Sequence, residues 1–257
     1  MTGPAAETLE AVALEESEGI VTLTFGTGER FNALRSAQWD AIEHAALELA
    51  TRSSLRAVVV RGRGGVFCAG SDLREWDSAS VDEVNRSFWR MEQALRAIED
   101  LPVPTVAVVE GVAAGGGCQL ALACDLQLTA ASASLGMPIS RLGILVPPSF
   151  AARLSLRIGP SRAKDLLYAG RMLSAEEAHR MGLVTSVADD GELDRALESL
   201  LSGWAPVAPA SLRAAKAAVD RGLRPLTLPV RSELPRPAAD PHEFPRRVAA
   251  FLHRRRG

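Results

Sequence analysis

The chain has 257 residues, 47% of them hydrophobic, and 29 basic against 31 acidic side chains leave a net charge of −2. That apolar content suffices for one sizeable core, and the even charge balance argues against nucleic acid or an acidic membrane surface as the main partner. No apolar run reaches the ~18 residues needed to span a bilayer, and the first residues lack the basic start and apolar stretch of a signal peptide.

In chain order, "GIVTLTF" (19–25) alternates and is rich in β-branched residues, which predicts a strand. "SAQWDAIEHAALELATRS" (36–53) predicts a helix with Ser36 as its N-cap. "LRAVVVRG" (55–62) is a continuous apolar strand of the kind buried on both faces, and "SVDEVNRSFWRMEQALRAIED" (80–100) is a long amphipathic helix. "PTVAVVEG" predicts a second buried strand, "GGCQLALACD" a short helix, and "LQLTA" a return strand. In "SAEEAHRMGL" (174–183), Ser174 and Glu177 have the spacing of a capping box. "LVTSVAD" follows as a strand, then "DGELDRALESLLSGWA" and "PASLRAAKAAVDRGL" as helices. Six prolines in 224–245 predict an extended connector before a last helix, "RRVAAFLHRR". Strands and helices alternate over about 190 residues, the pattern of an α/β fold with parallel strands.

Three cysteines, Cys68, Cys118 and Cys124, form no CxxC pair, and an odd count is poor disulfide arithmetic; a reducing, cytoplasmic chain is expected. The four histidines show no metal-pair spacing, so no metal is expected. Two segments echo each other: "VVVRGRGGVFCAG" and "VAVVEGVAAGG" both run from apolar strand through a glycine to Ala-Gly. The second continues into "AAGGGCQ" at a helix start, where unpartnered N–H groups and the helix dipole suit an oxyanion or phosphate. Glycine lets a ligand oxygen approach the backbone closely. The first turn, "FCAGSDL" (67–73), has the same shape, and two such N–H groups converging on one carbonyl oxygen would form an oxyanion hole. The triplet is neither a P-loop nor a GxGxxG fingerprint.

Quoted in order, "FNAL" (31–34), "VVVRGRGGVFCAGSDL" (58–73), "PTVAVVEGVAAGGGCQLALACDLQLTA" (104–130), "LGMPISRLGI" (135–144), "AEEAHRMGLV" (175–184) and "RVAAFLHRR" (247–255) resemble the enoyl-CoA hydratase/isomerase family, the crotonase superfamily. The resemblance implies an α/β crotonase-like spiral of ββα units over 1–195 and a helical C-terminal trimerisation region over 196–257. It implies a homotrimer or dimer of trimers, and an acyl-CoA or acyl carrier protein thioester as substrate. No cofactor is implied beyond the CoA of the substrate itself. The amides of Ser71 and Gly116 would hold the thioester oxygen as an enolate forms. Arg30, Ala33 and Leu34, with Ala69, Asp72 and Leu73, would hold the CoA moiety. Met137, Pro138, Ile139 and the helix 82–99 would line the acyl pocket.

The family's hydratases carry two glutamates. Their positions here read Gln119 and Ile139, and "ILVPPS" (144–149) offers no carboxylate either. Gln119 can hold a water or a carbonyl but cannot exchange protons, and hydration needs both an acid and a base. A base-independent lyase step, decarboxylation first, or isomerisation is therefore expected over hydration. Glu92 is the candidate to replace the missing acids, against a solvated helix face or an ion pair as the plain alternative. Glu75 and Asp77 read as loop acids, and Asp72 as a residue that fixes its turn. Cys118 sits at a helix start, where a thiol pKa can fall, yet its spacing points it into the core. The rival from another class is an inactive acyl-CoA binding protein or assembly partner. A serine hydrolase finds no GxSxG elbow.

Overall fold

In the computed structural model, residues 12–232 and 237–254 are described. The main sheet has six strands in the order β1-β2-β3-β4-β6-β9: β1 Val12–Ser17, β2 Ile20–Phe25, β3 Ala57–Gly62, β4 Thr105–Val109, β6 Leu126–Ala130 and β9 Ser186–Ala188. All neighbours run parallel except β1 and β2, which form an antiparallel hairpin. The hairpin turns on Glu18 and Gly19, both at positive φ, the conformation a two-residue hairpin turn requires. β1 carries the half-exposed sequence VALEES and gives no apolar run to read. A second sheet joins β5 Val112–Ala114, β7 Ser134–Gly136 and β8 Met172–Ser174.

Two helices, α1 Ser36–Ala50 and α2 Val81–Glu99, pack against each other and bury Trp39, Ile42, Met91 and Leu95. Ser36 is the first residue of α1 rather than its cap. Its N–H and hydroxyl both donate to Glu75, at 2.9 Å, which gives that loop acid a structural partner. α2 begins with the reciprocal Ser80–Glu83 capping box. α3 (Gly116–Ala123) is short and wholly buried. After it come α4 Pro148–Ile158, α5 Pro160–Ala169, α6 Ala175–Met181 and α7 Leu193–Trp204. At α6 only half of the expected box forms: Ser174 accepts from the Glu177 N–H, while the Glu177 carboxylate turns to Arg171 at 2.7 Å.

The proline-rich stretch departs from expectation. Helix α8 runs from Pro209 to Ser232, through Pro225 and Pro229. A proline deletes one helical hydrogen bond and bends the chain. Here the carbonyl freed by Pro225 belongs to Arg221, an exposed residue that water can serve. The last helix, α9, spans Glu243–Arg254 and begins before Pro245, which falls in the first turn, where a missing N–H costs nothing. Among the described residues, the chain before α9 is non-helical over 237–242; Pro235 lies outside the described residues. α9 covers a cavity of its own chain, anchored by Phe244 against Trp76 (ring centroids 5.6 Å) and by an Ile144–Ala239 bridge.

The two echoing segments lie side by side. β3 and β4 pair in register, Val59 opposite Val106, and beyond their ends a parallel bridge joins Cys68 to Ala113. The Cys68 N–H donates to Val112 O at 2.8 Å, and the Ala114 N–H to Cys68 O at 2.9 Å. Glycine permits the contact. A Cβ on Gly117 would stand 2.1 Å from Cys68 O, and one on Gly70 2.8 Å from Ala114 O and 3.2 Å from Gly116 N.

Glu92, offered above as a replacement acid, is structural in this fold. It is buried on α2 and bonded to Arg153 by both carboxylate oxygens at 3.0 Å, to Arg96 at 2.9 Å and to Ser149 Oγ at 3.0 Å. Burial pushes its carboxyl up, but Arg153 and Arg96 outweigh burial and hold it below its ordinary value. Arg153 also bonds Glu99 at 2.7 Å, so the cluster ties α4 to α2.

Two predictions follow from these contacts. Replacing Arg153 by Ala leaves the buried Glu92 carboxylate with only Arg96 and Ser149 and should cost up to about 3–5 kcal/mol in urea unfolding at neutral pH. Because the folded-state Glu92 pKa is depressed, the pair stabilises above the unfolded carboxyl value and fades in acid. The cost should therefore shrink as the pH is lowered below about 4.5. Gly117→Ala should destabilise by about 1–3 kcal/mol through backbone overlap, whereas Gly222→Ala, in open helix, should stabilise by about 0.5–1 kcal/mol.

Candidate active site

The residues that follow the Cys68–Ala113 bridge define the site, since three positions on from each partner stand Ser71 and Gly116. A further parallel bridge pairs Ser71 with Leu34: the Leu34 N–H donates to Gly70 O, and the Asp72 N–H to Leu34 O, both at 2.8 Å. In that pattern the groups of Leu34 are used and the Ser71 N–H points away from it. Gly116 opens α3, so its N–H precedes the helical ladder. Gly115, at φ +53, donates to Gly136 O at 2.9 Å and fixes the helix start. Among the described residues neither the Ser71 nor the Gly116 N–H has an acceptor, and both residues line one cavity of about 1620 Å³.

Each glycine of the triplet answers a separate constraint. Gly115 needs its positive φ, Gly117 touches the Cys68 carbonyl, and a Cβ on Gly116 would meet Met91 Sδ at 2.6 Å. Met91 Sδ also lies 3.8 Å from Ser71 Oγ, so the sulfur stands against both turns. From Met91 the wall continues through Phe88, one turn back on α2, to Trp76, Phe150, Ile139 and Ile144. Among the described residues, the lining includes no histidine, lysine, cysteine or tyrosine.

The mouth is cationic. Arg30, Arg74, Arg141, Arg246, Arg247 and Arg254 line it against two acids, Asp72 and Glu243. Asp72 accepts from the Arg74 N–H, completing a turn with its own side chain, and from Arg74 Nε at 2.9 Å; Arg35 and Arg30 lie at 3.7 and 4.0 Å. Burial pushes the Asp72 carboxyl above its ordinary value although Arg35 and Arg30 oppose it. Glu243 is held by Arg246 and Arg247 at 3.0 and 2.8 Å.

The anticipated residues divide by position. Arg30, Ala33, Ala69, Asp72 and Leu73 line the cavity, as do Pro138 and Ile139. Leu34, Met137, Gln119 and Glu92 do not. Leu34 is buried behind Ser71, and Met137 lies beneath the wall. Gln119 is fully buried, its Nε2 3.5 Å from Met137 Sδ and its Oε1 without a partner among the described residues. The wall position that would have carried the second glutamate is the apolar Ile139. Cys118 and Cys68 are buried, and burial pushes both thiols up to about 12, so the helix start does not activate Cys118.

Asn32, within "FNAL", is a positioning residue the reading of the chain passed over. Arg30, Phe31 and Asn32 all have left-handed φ between 52 and 56°, a strained run for side-chain-bearing residues. The buried Asn32 amide holds it, donating to Arg63 O at 2.8 Å and Val66 O at 2.6 Å and accepting from the Gly28 N–H at 2.8 Å. The run delivers Arg30 and Phe31 to the cavity mouth. An Asn before a bend was the available signal.

Residues 15–236 match the enoyl-CoA hydratase/isomerase family as a whole. Methylglutaconyl-CoA hydratase of Mus musculus, a mitochondrial protein by its name, is 34% identical over 215 residues, which cover 81% of this chain and 68% of that one. The crystal structure of an enoyl-CoA hydratase from Bacillus anthracis superposes with a TM-score of 0.78 at 29% identity, covering 86% and 88% of the two chains. That of an enoyl-CoA hydratase from Mycobacterium avium subsp. paratuberculosis gives 0.84 at 25% identity, covering 95% and 96%. With the crotonase fold, the paired turns and this match over most of its length, the chain belongs to the enoyl-CoA hydratase/isomerase family and is a family enzyme acting on acyl-CoA.

Proposed function

We propose that the thioester oxygen of an acyl-CoA, or of an acyl carrier protein, accepts hydrogen bonds from the Ser71 and Gly116 amides, and that the enzyme forms an enolate there without a protein base. The observation that carries this reading is the pair of acceptor-free N–H groups on one wall whose neighbouring side chains, Met91, Phe88 and Ile139, are apolar. Two backbone donors aimed at a developing oxyanion act where water is largely excluded, and each such donor is worth roughly 3–4 kcal/mol of transition-state stabilisation.

The acids at the cavity, Asp72 and Glu243, are both engaged by arginines at its mouth. Glu92 is engaged elsewhere, and the Gln119 amide is neither a general acid nor a general base. Decarboxylation fits this arrangement best. The bond from Cα to the carboxylate breaks, its electron pair enters the enolate, CO2 leaves, and solvent returns a proton to Cα. An apolar wall disfavours the departing carboxylate and favours the delocalised product. Isomerisation comes next and hydration last, since hydration asks for both an acid and a base. The arginine-lined mouth suits the phosphates of CoA, and three buried free thiols suit a reducing compartment.

Ser71→Pro deletes the N–H without breaking an internal bond, whereas Ser71→Ala keeps it. The proline variant should lose about 10²- to 10³-fold in kcat on a malonyl-type CoA thioester, with the alanine variant near the parent. Equal activity of the two would remove Ser71 from the oxyanion site. CO2 release from malonyl-type CoA esters should proceed with a flat pH–rate profile between about pH 6 and 8. A bell-shaped profile, or turnover confined to the hydration of enoyl thioesters, overturns the base-independent step.

A further inference from the structure

The cavity wall is richer in aromatic rings than the chain around it. Only 5% of the residues are aromatic, yet five of the chain's twelve, Phe31, Trp76, Phe88, Phe150 and Phe251, line this one cavity. Three of them, Trp76, Phe88 and Phe150, are buried at 5%, 7% and 1% exposure and pack into one continuous cluster that lines the cavity holding the two amides. Met91 touches both turns, and Phe88 lies one helical turn away on α2. Phe88 stacks on Trp76, with ring centroids 5.2 Å apart and planes 19° apart, and it meets Phe150 at 6.4 Å and 42°. Phe244 of α9 backs Trp76 from behind and fixes its ring.

From this we infer that the acyl group is planar and aromatic, an aryl-substituted thioester, and that Phe88 is the residue that selects it. The inference rests on the reading above that the site holds an acyl-CoA by Ser71 and Gly116. A linear or saturated acyl chain would gain only the burial of its area on this wall. An aromatic ring also gains offset-stacked and edge-to-face contacts with Phe88, Trp76 and Phe150, which prefer centroid separations of about 4.5–7 Å. The chemistry agrees with the geometry. A site with two amides and no base needs a carbanion that is stable by itself, and a ring conjugated to Cα shares the electron pair that the broken bond leaves behind.

The test compares dissociation constants of three CoA thioesters by calorimetry on the full chain: phenylacetyl-CoA, cyclohexylacetyl-CoA and octanoyl-CoA, whose acyl groups have the same number of carbons. Area burial alone would favour the two saturated acyl groups, which expose more apolar hydrogen. The aromatic wall predicts the reverse order, with phenylacetyl-CoA about 2- to 12-fold tighter than either. In Phe88→Leu the same ratio, taken within the variant, should fall below about two-fold while Trp76→Phe, which keeps a ring, retains it. Equal binding of the three, or a preference for a saturated acyl group, overturns the aryl assignment and leaves the thioester reading standing. Failure of all three to bind overturns both. A preference that survives in Phe88→Leu removes Phe88 as the selecting residue.

Discussion

The parallel bridge between Cys68 and Ala113 is the contact on which the site depends. Two hydrogen bonds clamp two turns that leave neighbouring strands, and each turn then delivers an amide three residues later. Because β3 and β4 are paired in register behind the bridge, the relative position of Ser71 and Gly116 is set by backbone bonds and not by side chains. If the two amides hold the thioester oxygen as proposed, preorganisation of this kind is what electrostatic catalysis needs, since dipoles already in place need no rearrangement during the reaction.

The local consequences of that clamp are visible in residue choice. Gly70 and Gly117 must lack side chains because a Cβ on either would stand closer to the other turn's backbone than ordinary contact allows. Leu34 then holds the first turn from its other side, and Gly136 anchors the second. Asn32 stabilises a left-handed run that the chain would otherwise avoid, and so carries Arg30 and Phe31 to the rim. Behind the wall, the buried Glu92–Arg153 pair fixes α4 against α2 and with it the face that bears Phe150.

Glu92 illustrates why an acid on an amphipathic helix cannot be assigned a role by spacing. Its position on α2, one residue after Met91, places it close to the cavity, but besides Arg96 on its own helix its partners, Ser149 and Arg153, lie on α4, more than fifty residues away in the chain. Gln119 illustrates the same point from the other side. It sits one turn beyond Gly116 as its spacing requires, yet its amide lies against Met137 Sδ and it is not among the residues that line the cavity. The prolines of 224–245 point to an extended connector for a different reason: a proline opposes a helix locally, yet on an exposed helix it is only a local cost. Helices α4 and α5 and the short strands β5, β7 and β8 leave no clear pattern in the sequence, because three-residue strands and helices begun by proline carry too little periodicity.

The sequence by itself determined the α/β alternation, the long helices, the buried strands β3 and β4, and the likeness of the two glycine turns. These are local properties: apolar periodicity and the need for a missing Cβ are written within a few residues. Only the tertiary structure decided that the two turns touch, that Met91, Phe88, Trp76 and Phe150 make one aromatic wall, and that arginines from the loops and α9 meet at one mouth. Those residues are brought together from separate segments by strand register and helix packing, and no short-range pattern in a chain encodes a distance between segments that far apart.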